Sequence, residues 1–223
     1  MKIILSIITL LLLAAAPASK GQGYVFFNNR ANPSGGVGSD RVVAPIYGPN
    51  PETPYLCLSG NAATNGGSVD YAGFPLLRGT GYTAELWAED PALPDVFQPL
   101  SGVAAKVPFR TAQTLGGFIT PSVQSVAVPW VTVNFTLIRF QVRAWDNANG
   151  TLNTYGEALA TGTASGSSDI FMVQVNTPSA SPPLNLYALT SFNLTVPVPE
   201  PSVMMLGALA GAALLWRRKK VSR

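Results

Sequence analysis

The middle of this chain alternates short runs of aromatic and β-branched residues with clusters of Gly, Pro, Asn and Ser. Runs of this kind are typical of short strands joined by turns. No body segment shows helical periodicity over about twelve residues or more. With 21 glycines and 19 prolines, the chain is rich in turns without reaching low-complexity composition. The pattern predicts an all-β body, and the strand spacing favours an antiparallel β-sandwich, jelly-roll or immunoglobulin-like.

The predicted strands are distributed along the whole body. They lie near Tyr24–Asn28, Arg41–Tyr47, Gly81–Ala88, Val103–Phe109, Gln124–Val128, Val131–Trp145, Ile170–Val175 and Leu186–Val196. The longest, Val131–Trp145, changes phase. Apolar residues occupy odd positions up to Leu137 and even positions from Ile138 onward. Because side chains alternate strictly across a strand, we predict a β-bulge or sharp bend near Leu137–Ile138. Beyond it, Asn149-Gly150 indicates a turn and favours a hairpin.

The N-terminus has the composition of a secretory signal peptide. Met1 and Lys2 precede an uncharged apolar run from Ile3 to Ala16, and small residues stand at Ala16 and Ala18. As a helix, the apolar run would be about 21 Å long, short of the roughly 30 Å hydrocarbon core that a permanent anchor must cross. We predict recognition by signal peptidase through Ala16 and Ala18, with cleavage after Ala18 or, as second choice, after Gly21.

The C-terminus carries three features in order. The first is a Pro-Glu-Pro motif with its preceding valine: Val198, Pro199, Glu200 and Pro201. The second is an uncharged apolar run from Val203 to Trp216. The third is a basic cluster: Arg217, Arg218, Lys219 and Lys220. The sequence predicts a single transmembrane helix, with the basic residues cytoplasmic by the positive-inside rule and the body outside.

Taken together, these features resemble the PEP-CTERM sorting signal. The resemblance implies a transient anchor in the inner membrane. It also implies recognition by exosortase, a transpeptidase-like membrane enzyme thought to cut near Pro-Glu-Pro and release or transfer the protein outward. Proteins with this tail occur in Gram-negative bacteria that make exopolysaccharide and are associated with biofilm or floc matrix. The alternative is a plain tail-anchored protein with a proline-rich neck.

A looser resemblance lies in the body. The segments Gly21–Asn29, Gly81–Trp87 and Phe140–Asp146 look like those of uncharacterised exported PEP-CTERM proteins of Verrucomicrobia-like bacteria. This likeness implies export and a β body, and it implies no activity.

Charge and composition exclude several function classes. The net charge of +3 comes from the two ends, since residues 21–199 hold ten acidic and seven basic residues. A nucleic-acid-binding body would need a basic patch in the folded part, so no nucleic-acid partner is predicted. The chain has no histidine and one cysteine, Cys57, which excludes Ser-His-Asp and Cys-His catalysis and an intrachain disulfide. We expect no enzyme activity, no cofactor and no metal.

Three groups of residues invite a chemical interpretation, and a structural one is favoured for each. Glu85, Glu89 and Asp90 could form a carboxylate pair, but a solvated strand end is expected. Asp146–Gly150 could offer oxygen ligands to Ca²⁺, but it lacks the EF-hand spacing and is expected to be a turn. The neighbours of Cys57 are leucines, which favours its burial.

Aromatic side chains are candidates for stacking on sugar rings. Trp130 and Trp87 are the candidate glycan-stacking residues, and Trp130 is the one expected to be exposed because it follows Pro129. Trp145 ends an alternating strand and is expected in the core.

The sequence therefore predicts three parts: a signal peptide (1–18), a β-sandwich body (19–197) and a PEP-CTERM sorting tail (198–223). The predicted function is that of an exosortase-processed cell-surface or extracellular-matrix protein. Its role would be non-catalytic, structural or adhesive, and linked to exopolysaccharide or biofilm. The alternative is a carbohydrate-binding β-sandwich module, and a carboxylate- or calcium-dependent hydrolase is less favoured.

Overall fold

The computed structural model describes residues 22–31, 41–121, 124–177 and 182–198. The predicted leader, and the tail beyond Val198, lie outside these residues. Within them, the chain forms thirteen strands and one α-helix. The strands are β1 (Gly23–Phe26), β2 (Arg30–Ala31), β3 (Val42–Val43), β4 (Ile46–Tyr47), β5 (Tyr82–Glu89), β6 (Phe97–Pro99), β7 (Lys106–Pro108), β8 (Val126–Val128), β9 (Thr136–Asp146), β10 (Ser165–Ser167), β11 (Phe171–Val175), β12 (Leu184–Asn185) and β13 (Phe192–Asn193), and helix α1 is Tyr155–Thr161.

The largest sheet has six strands and is built around β5 and β9. These two strands pair antiparallel, β10 and β11 pair with β9, and β6 and β7 pair with β5. A three-stranded sheet has the order β12-β1-β8, and two-stranded sheets join β13 to β4 and β2 to β3. The all-β prediction is confirmed. The six-stranded sheet is antiparallel throughout, as predicted. The ladders β1–β12 and β13–β4 are parallel, so the three-stranded sheet is mixed and the prediction of antiparallel pairing is wrong at β12 and β13.

One apolar core receives side chains from both larger sheets. Val25 and Val126 come from the small sheet, and Leu86, Phe140 and Val173 come from the large one. Strict alternation along β9 buries Ile138, Phe140, Val142 and Ala144, as the sequence predicts. At about 1.5–3 kcal/mol for each large apolar side chain, this shared burial is the main stabilising contribution.

The phase change before β9 is real, but it lies earlier than predicted. Val131–Phe135 is a turn, and the strand begins at Thr136. Phe135 adopts a left-handed backbone (φ 61°). Phe135 and Leu137, which the sequence places on the apolar face of a longer strand, are exposed. The bulge forms instead on the neighbouring strand, where three residues separate β10 from β11 opposite two residues of β9.

The loop after β9 contains a helix where the sequence predicts none. The turn at Asn149-Gly150 is confirmed by positive φ at both residues. It leads into α1 instead of closing a tight hairpin. Thr154 and Glu157 form a capping box, in which each side chain bonds the other's backbone N–H. This Thr-x-x-Glu signal is visible in the sequence, but the seven-residue helix is too short for periodicity to reveal it.

Buried asparagines tie the irregular segments together. The Asn29 side chain donates to the carbonyls of Ala44 and Gly117 (both 2.9 Å) and accepts from the Ile119 N–H (3.0 Å). The Asn193 side chain accepts from the Leu58 N–H (2.6 Å) and donates to the Leu56 carbonyl (2.8 Å). Each amide satisfies backbone groups that no ladder pairs, and so fixes loops that are far apart in the sequence.

Replacing Asn29 with Ala should destabilise the body by about 2–3 kcal/mol, because the buried Ala44 carbonyl and Ile119 N–H lose their side-chain partner. The Gly117 carbonyl loses one of two donors and keeps the Ile46 N–H (2.8 Å). Asn28→Ala is the matched control, since the neighbouring amide makes one longer bond, 3.4 Å to Asn185. It should cost less than about 1 kcal/mol. Urea unfolding of both variants measures the difference, and equal losses would refute the role assigned to Asn29.

A second, smaller core contains Tyr47, Tyr71 and Phe74. The rings of Tyr47 and Tyr71 stack with centroids 4.1 Å apart. The single proton of the Tyr71 hydroxyl is shared between the carbonyls of Gly60 (2.9 Å) and Ser191 (3.0 Å). Burial, followed by the proximity of Tyr47, raises the pKa of Tyr71 well above its ordinary value. The folded state therefore holds this phenolic proton more tightly than the unfolded chain does.

Stability should fall as the pH rises above about 10, the pKa of tyrosine in an unfolded chain. Because the folded-state pKa of Tyr71 is raised, its contribution is complete below that pH and is lost as the pH climbs toward the raised value. Tyr71→Phe should be less stable at pH 7 by about 1–2 kcal/mol, because two carbonyls lose the hydroxyl proton that they share, yet show a shallower alkaline decline. Phe74→Leu, in the same cluster, should lose stability with an unchanged slope. Urea titrations between pH 7 and 11.5 test this, and parallel slopes for wild type and Tyr71→Phe would contradict it.

Candidate functional site

The outer face of the large sheet collects charged and aromatic side chains. Alternation along β5 buries Ala84, Leu86 and Ala88 in the core and directs Glu85, Trp87 and Glu89 to the opposite face. Glu85 and Glu89 are nevertheless buried on that face, so the expectation of a solvated strand end is wrong for these two carboxylates. On β9, the outward residues opposite them are Arg139, Gln141 and Arg143. Register places Glu85 opposite Arg143 and Trp87 opposite Gln141. Cross-strand neighbours on one face lie close enough to interact.

Trp87 is enclosed by polar partners on this face. Its indole N–H donates to Glu85 Oε2 (2.8 Å), and the Arg143 guanidinium lies 3.8 Å from the centre of its ring. Arg143 also donates to Gln141 Oε1 (2.9 Å) and approaches the Tyr155 ring on α1. Burial lowers the pKa of Arg143 and raises that of Tyr155. One face of Trp87 is thus covered by an arginine, so the ring is not an open stacking platform.

The second carboxylate of the face is part of an ion-pair network. Arg139 contacts Glu89 (2.9 Å) and Asp95 (2.8 Å), and Glu89 Oε1 accepts from the Asp95 backbone N–H (2.6 Å). Glu85 and Glu89 lie within one uninterrupted strand, about 13 Å apart along it. Each has its own partners, so the two carboxylates are held apart and do not converge on one bond.

The two other tryptophans among the described residues are packed inward. Trp145 is fully buried, as predicted, and donates to the Leu152 carbonyl (3.2 Å) beside α1. Trp130, expected to be exposed, is half-buried and packs against the main core. Its Nε1 is buried, with no hydrogen-bond partner among the described residues. The expectation of an exposed Trp130 ring is wrong, because the turn after β8 folds the indole back onto the core.

The two other chemical candidates behave differently from each other. Asp146 Oδ1 accepts from the Ala148 N–H (2.8 Å), and the Asn147 side chain bonds Thr80, Thr83 and Gly150, so these oxygens and amides brace the turn. In the part of the chain that the structure describes, no group of three His, Cys, Asp or Glu residues could hold a metal ion.

Cys57 is exposed, so the expectation of its burial is wrong. Leu58 packs against the second, smaller core, whereas Leu56 and Cys57 of the same loop face solvent.

The predicted sorting tail begins directly after the last backbone hydrogen bonds of the body. Thr195 exchanges backbone hydrogen bonds with Ser165, and the Val196 N–H donates to the Pro54 carbonyl (2.8 Å). Val198, the first residue of the predicted sorting motif, is 62% exposed. Pro199–Pro201, the basic cluster Arg217–Lys220 and the leader residues Ala16 and Ala18 lie outside the described residues. Within the described ranges, no helix has both the length and the apolar character to cross a membrane.

Residues 197–219 match the model of the PEP-CTERM protein-sorting motif. The match supports a protein targeted to exosortase and exported to the cell surface. No curated protein and no solved structure matches the chain. The resemblance of the body to Verrucomicrobia-type proteins is therefore not supported.

Arg143→Gln should uncover Trp87 and lower stability by about 1 kcal/mol, the contribution of a partly desolvated cation–π contact. Acrylamide should quench tryptophan emission more strongly in this variant, with a red shift. Lys106→Gln is the matched control, because its ammonium lies over the ring of Trp145, which is fully buried. Quenching that is identical in wild type and Arg143→Gln would show that Arg143 does not shield the ring.

Proposed function

We propose that this protein is processed by exosortase and becomes a cell-surface or extracellular-matrix protein. Its role is structural or adhesive, non-catalytic, and linked to exopolysaccharide or biofilm. The observation that carries the proposal is the sorting-motif match at residues 197–219, placed directly after the last hydrogen bond of the body at Val196. We further propose a β-sandwich body, supported by the core that the two larger sheets share.

The junction of body and tail suits removal of the tail. Among the described residues, Val196 is the last to donate a backbone hydrogen bond to the body, and Pro197 and Val198 follow it as an exposed neck. A protease requires an extended, unpaired backbone at its cleavage site, and exposed segments of this kind are where cleavage is tolerated. Since the last strand of the described residues ends at Asn193, cutting near Pro199 would leave all thirteen of these strands intact.

The outer face supports a non-catalytic role. Glu85 and Glu89 each have a hydrogen-bond or ion-pair partner and are separated along β5. The chain also lacks histidine, the commonest general base. Neither Trp87 nor Trp130 supports the carbohydrate-binding alternative as an exposed stacking ring. Arg143 covers one face of Trp87, and Trp130 packs against the main core.

Intact mass of the protein from its native host, with and without exosortase, tests the proposal. With the enzyme, the mass should correspond to loss of the leader and of everything beyond the region 198–201. Without it, the mass should retain the tail. Replacing Pro199 and Glu200 with Ala should block processing. The same changes at Pro51 and Glu52, an exposed Pro-Glu pair in the body, should not. A tail retained in the presence of exosortase would instead indicate a tail-anchored membrane protein.

A further inference from the structure

Three arginines from distant parts of the chain line one cleft. Arg30 lies in β2, Arg41 directly precedes β3, and Arg110 follows β7. With Val43 they line a cleft of about 410 Å³. Arg30 and Arg41 are exposed, and Arg110 is half-buried. Pairing of β2 with β3 sets Arg30 opposite Val43, and Arg41 lies next to this ladder in the sequence, so two of the arginines are held near each other.

Hydrogen bonds and a ring contact fix the positions of two of the arginines in the cleft. The Asn29 amide bonds Gly117 and Ile119 on either side of Phe118, and Arg30 lies over the Phe118 ring, 5.1 Å from its centre. Arg110 Nε donates to the Ile119 carbonyl (3.0 Å), which fixes one edge of its guanidinium. The fixed chain therefore determines where two of the three positive groups lie before any ligand arrives.

The charges of the cleft are not neutralised by the described residues. In those ranges, the ion pairs are the two made by Arg139, and none involves Arg30, Arg41 or Arg110. Asp40, next to Arg41 in the sequence, lies outside the described residues. Burial and the neighbouring Arg30 both lower the pKa of Arg110. Like charges held together in this way repel, and an anion between them would relieve the repulsion.

A neutral polar cleft continues from the basic one. It has a volume of about 270 Å³ and shares Arg41 and Val43 with the first. Its further lining includes Asn61, Thr64 and Asn65, whose side chains carry amide and hydroxyl groups. Asn61 Oδ1 accepts from the Ser191 backbone N–H (2.9 Å), so Asn61 offers its Nδ2 as a donor. Guanidinium groups bind carboxylate and sulfate through paired hydrogen bonds, while amides and hydroxyls suit sugar hydroxyls. An anion alone would use only the first cleft, whereas an anionic sugar chain would use both.

We propose that the two adjoining clefts bind an acidic polysaccharide, with its carboxylate or sulfate groups at Arg30, Arg41 and Arg110 and its hydroxyls at Asn61, Thr64 and Asn65. This inference names a ligand class for the matrix role proposed above. It concerns the body, so tail processing and glycan binding can fail separately.

Binding is measured with the full chain in detergent, using polygalacturonate oligomers as the carboxylate probe, dextran sulfate as the sulfate probe and neutral dextran as the uncharged one. The wild-type protein should bind at least one acidic probe and not dextran. Affinity should weaken as salt rises, because exposed charges are screened. Preference for one acidic probe identifies the anionic group. Failure to bind either, or equal binding of dextran, overturns the proposal.

Variants locate the site. Arg30→Gln combined with Arg41→Gln should weaken binding at least about tenfold, since charge-assisted hydrogen bonds are lost at two exposed positions. Arg110→Lys, which keeps the charge but loses the planar fork, should weaken it less. Lys106→Gln, on the outer face of the large sheet, should bind like wild type, and all variants carry the same basic tail. Equal loss in Lys106→Gln would show non-specific attraction. Displacement of the oligomer by equimolar inorganic phosphate would show a small-anion site, and either result overturns the inference.

Discussion

The register between β5 and β9 is the constraint on which the rest of the structure depends. Seven consecutive residue pairs, from Tyr82–Asp146 to Ala88–Phe140, join these strands. Because side chains alternate, this register sets Leu86 and Phe140 in the core and, at the same time, places Glu85 beside Arg143 on the outer face. A slip of one residue would expose the core set and bury the charged set. Core and outer face are therefore specified by the same hydrogen bonds.

Prediction from the sequence succeeds where the alternation of residues along one strand determines the structure. The predicted bounds of β5 are correct to within one residue at each end, and those of β9 at its C-terminal end. Ile138, Phe140, Val142 and Ala144 form the buried face of β9, as alternation predicts. Prediction failed where distant segments decide the outcome. The predicted strand at 186–196 is reduced to Phe192–Asn193, because the adjoining backbone is taken up by loops. Asn193 bonds Leu56 and Leu58, residues that no sequence window places beside it.

The sorting tail and the arginine cleft differ in the same way in how well the sequence predicts them. The sorting tail is a linear signal, so its order of motif, apolar run and basic cluster is readable without any fold, and the match at 197–219 agrees with it. The arginine cleft is not readable in this way. Arg30, Arg41 and Arg110 are brought together only through the β2–β3 ladder and the amide of Asn29, which bonds backbone 88 and 90 residues away. Asparagines that are buried among loops follow no periodic spacing, so the sequence pattern does not reveal them.

Charge distribution links the tail to the body. The net charge of +3 belongs to the ends of the chain, and residues 21–199 carry three more acidic than basic residues. A body of this composition has no long-range attraction for a polyanion, and its mean field would repel one. Recognition of an acidic partner would then depend on arginines that are clustered and already in position before binding. Only their attraction for an anion at short distance can exceed the repulsion from the negative net charge of the body. In the processing proposed above, the basic residues of the tail would serve membrane topology instead, and they would leave with the tail when it is cut.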